Sequence, residues 1–350
     1  MAGYIGIDIG GTKIAVSLWE TGIAAAPAEP RMHARTEFAT RSVDGPVAAV
    51  DRLIGVCRSY VEEAAAIDGA VRAIGVSCGG PLDRDTGVIH SPPNLPGWDS
   101  VPIVAKLEDA LGLPVALDND ANAGALAEHR YGAARGFDNV VFLTFGTGLG
   151  AGLILNGRLY PGANGMAGEI GHVRLEQTGP VGYGKNGSAE GFCSGSGIAL
   201  LGREAATAAF AEGRSVAYCT GPHALDDVDA ASIADAARGG DSAAIAVYTQ
   251  SGRQLGRVLA ILIDILNPEV IVIGSVFVRA HDLLWPEAEA VLRAESLAQA
   301  NRACRVVPAA LGDRIGDYAA LAVALGGYPS SEGAVTMGTA ESSHAVETRL

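Results

Sequence analysis

Short apolar runs with the period of strands alternate along this chain with longer stretches whose apolar positions recur at helical spacing. Tyr4–Ile9 predicts a strand that ends at Asp8 and breaks at Gly10-Gly11. A helix is expected over roughly Asp44–Ala66, then the strand Ala73–Ser77 and a Gly-Gly-Pro break at 79–81. Pro102–Gly112 has helical spacing, and Pro114–Leu117 is a strand running into Asp118-Asn119-Asp120. A helix is favoured from Ala121 to Tyr131, with Asn119 or Asp120 placed to cap it. Strand signals return at Asn139–Phe145 and Gly152–Leu155, and the glycine-rich turn between them predicts a hairpin. Helices follow near Ser196–Ala211, Ala230–Ala237 and Ser242–Leu266, strands at Val270–Ile273 and Arg305–Pro308, and a closing helix at Asp317–Leu325. Strands alternating with helices predict an α/β protein with mixed sheets. Similar strand-turn loops at Asp8–Lys13 and Thr144–Gly150 suggest a duplicated architecture with a cleft between two lobes, divided near residue 120. The polar stretch 329–350 lacks periodicity and is expected to be a disordered tail.

Composition narrows the partners. A net charge of −14 argues against nucleic acid or an anionic membrane, because both require a basic face. An anionic nucleotide stays admissible, held locally by amides and Mg²⁺. Five widely spaced cysteines without a CxxC pair suit free thiols in a reducing cytoplasm. The opening MAGYIGIDIG lacks the pattern of a signal peptide, and the apolar run Val258–Leu266 is too short to span a bilayer. A cytoplasmic protein is expected.

Four motifs carry candidate chemistry. In DIGGTK at 8–13, Gly10 and Gly11 let backbone N–H groups approach phosphate oxygens, beside Thr12 and Lys13, while Asp8 can orient Mg²⁺. Alone, the same residues would also read as an ordinary β-hairpin turn. TFGTGLG at 144–150 repeats the pattern with Thr144, Gly146, Thr147 and Gly148. LDNDANA at 117–123 sets acids and asparagines after an apolar strand, suited to accepting a hydroxyl proton and positioning a polyol. By itself it reads more readily as a helix N-cap with solvated acids, and the other motifs reverse that order. GEIGHV at 168–173 offers Glu169 and His172 to adjacent hydroxyls. Two look-alikes fail: Gly146–Gly152 continues as a strand where a dinucleotide fingerprint opens a helix, and GPVGYGKN at 179–186 has Asn186 where a Walker loop needs Ser or Thr.

In this order and spacing the motifs resemble the ROK family of sugar kinases, of the actin-like ATPase (ribonuclease H-like) superfamily. The resemblance runs from residue 4 to about 327 and includes GVSCGGPLD at 75–83, PPNLPGW at 92–98, AEGFCSGSGI at 189–198, NPEVIVIG at 267–274 and LGDRIGDYAALAVAL at 311–325. It implies a two-lobed fold, with residues 1–120 and 121–328 as lobes and a last helix near 313–326 returning to the first. It also implies an ATP-dependent transfer to the 6-hydroxyl of a glucose-like hexose, with Asp120 as general base and Asn119 on neighbouring hydroxyls. Gly80 and Asn94 would line the sugar site, and Glu169, His172 and Glu190 would take the far side of the ring. Asp8 would act at Mg²⁺ and the phosphates, with Gly10, Gly11, Thr12, Thr147 and Gly148 around the chain and Gly274 near adenosine. A homodimer is implied as well. An amino-hexose acceptor, of the kanosamine or N-acetylmannosamine type, is an alternative. Polyphosphate donors go with basic donor-site residues that the sequence does not single out. A family repressor would carry an N-terminal helix-turn-helix segment, for which the first loop at residue 8 leaves no room.

One departure stands out. Many family members place three zinc-binding cysteines after the GEIGH histidine, whereas the aligned positions here are Val181, Tyr183 and Ser188. No structural zinc is expected, and the loop must be held by packing, with Tyr183 the candidate.

Overall fold

The computed structural model describes residues 2–21, 29–40, 44–66 and 70–326. The proposed tail 329–350 lies outside them. The first half builds one five-stranded sheet from β1 (Ala2–Ile9), β2 (Lys13–Thr21), β3 (Arg31–Ala39), β4 (Ala70–Cys78) and, after a small hairpin β5 (Leu82–Asp83) and β6 (Val88–Ile89), β7 (Val115–Asn119). Its order is β3-β2-β1-β4-β7, antiparallel through β1–β3 and parallel through β1, β4 and β7. The second half repeats the plan with β8 (Val140–Leu143), β9 (Ala151–Leu155) and β10 (Arg158–Leu159). After the short hairpin β11 (Val181–Gly182) and β12 (Lys185–Asn186) it adds β13 (Val270–Ile273) and β14 (Arg305–Pro308), in the order β10-β9-β8-β13-β14. The duplication seen in the two glycine loops therefore extends to whole sheets.

Helices cover both sheets. α1 (Gly45–Ala66) and α2 (Ile103–Leu111) pack on the outer face of the first, closing a core around Ile5, Ile7, Val16, Leu53, Ile74 and Val76. α3 (Asp120–Tyr131) leaves the first sheet and packs on β8 and β9 of the second. After the single turn α4 (Ala189–Phe192), the helices α5 (Gly195–Ala211), α6 (Ala230–Arg238) and α7 (Ser242–Leu266) build the second sheet's core. α8 (Val276–Arg279), α9 (His281–Glu295) and α10 (Ala298–Ala303) complete that side, α9 lying against α7. α11 (Ile315–Ala324) then returns to β1 and β4 and rests on α3. Its alanines let it sit close to the glycines of the strands: a Cβ at Gly75 would lie 2.2 Å from the carbonyl oxygen of Ala320.

β2, β3 and α9 lie where the residue pattern assigns nothing. β2 is buried on both faces for most of its length, so it shows no alternation. β3 is a sheet edge and carries Arg35 and Glu37 on exposed positions. α9 holds Pro286 inside its first turns, which the rules for helix ends would read as a stop.

Candidate active site

The strands deliver their functional groups at their carboxyl ends, where open α/β sheets place ligands. Parallel register sets Asp8 beside Ser77, Ser77 beside Asp118 and Cys78 beside Asn119. The chain then turns into α3, and the Asn119 side chain caps it by accepting the Asn122 N–H at 2.7 Å. Asp118 is buried; one of its oxygens accepts the Asn119 N–H at 2.8 Å and the Asn122 side-chain N–H at 2.9 Å. Burial raises its pKa. Asp120 heads the helix with its side chain open to the cleft. The protein around it still withholds enough water to raise its pKa, opposed by backbone N–H groups at the helix start.

A cleft of about 350 Å³ collects Asp8, Lys13, Asp120, Thr144, Gly146 and Gly274 from the anticipated set, together with residues to which the sequence assigns no role. Those are Arg35 and Ser77 of the first sheet, Ser275 and Arg279 beyond β13, and Asp313, Gly316 and Asp317 around the start of α11. Asp8 is pushed up to about 6, first by burial and then by the negative charges of Asp120 and Asp317, with Lys13 and Arg35 pulling the other way. Arg35 Nε donates to both carboxylate oxygens of Asp317, at 3.1 and 2.9 Å, and its Nη2 to Glu37 at 2.9 Å. Lys13 also reaches Glu37, at 3.0 Å. The wall therefore carries Lys13, anticipated from the first motif, together with Arg35 and Arg279, basic residues that sequence reading does not single out. No local signal marks Arg35, and nothing local pairs it with Asp317, since their hydrogen bond spans 282 positions of chain.

The two glycine loops are both hairpin turns with spare donors. Gly10 N–H closes the first turn on the Lys13 carbonyl at 2.9 Å, and Thr40 ties it down through the Gly10 and Thr12 carbonyls. In the second, the N–H groups of Gly146, Leu149 and Gly150 are spent on Gly148, Glu190 and Thr144. Those of Gly11, Thr12, Thr147 and Gly148 make no hydrogen bond among the described residues. Free backbone donors pointing into a cleft are the usual means of cradling an anion. Only glycine fits at 11, since a Cβ there would sit 2.4 Å from the Asn94 carbonyl oxygen. That contact also brings the loop of Asn94 against the first turn, and Gly79, next to Gly80, flanks the Asn94 amide.

A second polar group adjoins the cleft. Gly168 adopts φ +92° and lies directly against the Ala151 carbonyl, so the chain can turn there and present Glu169 and His172 beside β9. Glu169 Oε2 stands 3.9 Å from His172 Nε2. Its pKa is raised by burial and by the charges of Glu190 and Asp120, against the pull of His172. Glu190 touches the second loop by accepting the Leu149 N–H at 3.1 Å. Asp120, Glu169, His172 and Glu190 are thus electrostatic neighbours although 70 positions separate the first from the last. In a larger depression of about 520 Å³ between α7 and α9, both arginines are already paired, Arg253 with Glu287 and Arg257 with Glu176.

The ROK family model matches residues 4–326. The chain belongs to the ROK family. It is 33% identical over 283 residues to a glucokinase of Halalkalibacterium halodurans, covering 80% of this chain and 82% of that one. A solved ROK glucokinase of Streptomyces griseus, in complex with glucose and AMPPNP, superposes with a TM-score of 0.73 at 30% identity, over 92% of this chain and 99% of that one. The family also includes regulators: the N-acetylglucosamine repressor of Escherichia coli O6:H1 is 33% identical over 64% of this chain and 53% of its own. The two five-stranded sheets are those of the actin-like ATPase fold that ROK hexokinases share.

At the positions of the family's zinc cysteines the ROK loop takes another form. Val181–Asn186 is a hairpin whose Tyr183 ring packs edge-on against His172, centroids 4.9 Å apart. Ser188 Oγ accepts the Gly191 N–H at 3.1 Å and donates to the Gly182 carbonyl at 3.4 Å. No cluster of three or more metal-ligating side chains occurs among the described residues. Nor is any described helix long and apolar enough to cross a membrane.

Proposed function

We propose that this ROK protein transfers the γ-phosphoryl group of ATP to the 6-hydroxyl of a glucose-like hexose. The observation that carries the reading is the position of Asp120. It lines the cleft with Lys13, Thr144 and Gly146 of the two glycine loops, whose neighbouring amides at Gly11, Thr12, Thr147 and Gly148 are unspent, and its charge reaches Glu169. Phosphoryl transfer asks for little more than positioning, charge neutralisation and a base at the nucleophile. Asp120 accepts the proton of the 6-hydroxyl as its oxygen bonds to the γ-phosphorus. The bond from that phosphorus to the bridging oxygen breaks, and ADP leaves with the electron pair. Asp120 must be ionised to act, and its raised pKa makes it a stronger base than a solvated carboxylate.

Glu169, His172, Glu190, Asn94 and the Asn119 amide would bind the sugar hydroxyls, with Gly80 at the wall. The free amides of Gly11, Thr12, Thr147 and Gly148, with Gly10, Lys13, Thr144 and Gly146, would hold the phosphates, and Gly274 would lie on the nucleotide side. Mg²⁺ would enter with ATP as part of the substrate, and its charge would relieve the crowding of Asp8, Asp120 and Asp317 that, with burial as the larger cause, pushes Asp8 up to about 6. An oxygen donor next to further carboxylates suits this hard cation. The free thiols Cys57, Cys78, Cys193, Cys219 and Cys304 support a reducing cytoplasmic setting. A homodimer belongs to the same proposal, from the family alone.

An amino-hexose is the second acceptor class. The mutual repulsion of Glu169 with Glu190 and Asp120 favours it, since an ammonium group would relieve it. The test is a coupled ADP-release screen over glucose, mannose, N-acetylated hexosamines, glucosamine and kanosamine, with ATP and polyphosphate compared as donors. Hexose-dependent ADP release is expected; no stimulation by any sugar refutes the kinase reading.

A further inference from the structure

The hairpin β11–β12 contains a residue that its own geometry disfavours. Its two turn residues, Tyr183 and Gly184, both have positive φ, +45° and +73°. Asn, Asp or Gly is the usual first residue of such a turn, because an L side chain with a bulky ring resists the left-handed conformation. Burial does not explain the choice, since Tyr183 is 59% exposed. Its ring instead meets the imidazole of His172 edge-on, at 4.9 Å and 76°. Two residues later, Lys185 Nζ donates to the backbone carbonyl of that same His172 at 2.6 Å. One hairpin thus holds both the ring and the main chain of one histidine.

The base of the hairpin is set against the other side of the same group. Gly182 is packed so closely on the Gly191 N–H, the Ser188 hydroxyl and the Glu190 Cβ that a Cβ on it would approach each within 3 Å. The element therefore links the turn carrying Glu190 to the turn carrying His172, without any metal-ligating side chain of its own.

We propose that Tyr183 and Lys185 are positioning residues of the acceptor site, which hold His172 in the orientation that binds the sugar. The inference rests on the hexose-kinase reading for what His172 does, though not for how it is held. A misdirected donor or acceptor weakens substrate binding, while Asp120 and the phosphate loops stay in place.

Tyr183→Asn is the informative variant, because Asn suits the turn and removes only the ring. The KM for the acceptor found in the ADP-release screen should rise about tenfold with kcat within about twofold, while Tyr183→Phe, which keeps the ring, behaves as the parent protein does. Lys185→Met should also raise KM. NMR of the imidazole carbon-bound protons supplies a readout independent of turnover: the His172 signals should move in Tyr183→Asn and stay in Tyr183→Phe. Unchanged KM and unchanged His172 signals in Tyr183→Asn would overturn the proposal, as would an equal rise of KM in Tyr183→Phe. If the parent protein phosphorylates no sugar, the kinase reading fails, and the NMR comparison still decides whether the hairpin holds His172.

Discussion

Replacing Asp8 by Asn should make the empty protein more stable while ruining its use of nucleotide. Burial and the negative charges of Asp120 and Asp317 raise the Asp8 carboxyl from its ordinary 3.8 to about 6. A tenfold change in acidity is about 1.4 kcal/mol, so keeping Asp8 ionised above pH 6 costs the fold about 2–3 kcal/mol. The folded state holds this proton more tightly than the unfolded chain does. Stability from this group is therefore complete below pH 3.8 and lost as pH rises through about 6. Asn mimics the neutral form at every pH. Urea unfolding without nucleotide or divalent cation should find Asp8→Asn more stable by about 2–3 kcal/mol at pH 7.5, with the difference closing toward pH 4. In the presence of Mg²⁺ and ATP only the parent protein should gain stability, by mass action. A variant that is less stable at pH 7.5, or a difference that does not vary with pH, would refute the electrostatic reasoning.

Other expectations concern the same machinery. Asp120→Asn should leave hexose binding by calorimetry nearly intact and lower kcat by about 10²–10⁴-fold; near-normal turnover would remove Asp120 from its role. kcat/KM for ATP should fall as pH drops through about 6, because a protonated Asp8 cannot support the cation that accompanies the phosphates. Gly75→Ala should destabilise by ~3 kcal/mol in thermal or urea unfolding, because its Cβ would lie 2.2 Å from backbone atoms of both Ala320 and Ala324 and force α11 away from β4. Elemental analysis should find no stoichiometric zinc, since the positions of the family's cysteines carry Val181, Tyr183 and Ser188.

Much of the site was legible residue by residue, because its chemistry is local. A strand ending in Asp8 before two glycines, or Asn119 set to cap a helix, follows from turn and capping rules that act over a few positions. The structure adds that both glycine loops are true hairpin turns with unspent amides, so the hairpin reading of DIGGTK still leaves donors free for an anion. It also settles the cap on Asn119, which leaves Asp120 facing the cleft. The hairpin around Tyr183 lay between these cases: its departure from the zinc pattern was visible, but not its two contacts with His172.

What the chain's order of residues could determine, then, was the identity of the strands, turns and motifs whose interactions close within a few positions. Which distant charges share the cleft was decided by packing. Arg35 comes from an edge strand with no strand-like pattern, and Asp317 from a helix that returns after the second sheet is built. They meet only because close-fitting glycines and alanines allow α11 to lie against β1 and β4. That adjacency sets the charge around Asp8, and no rule of local periodicity contains it.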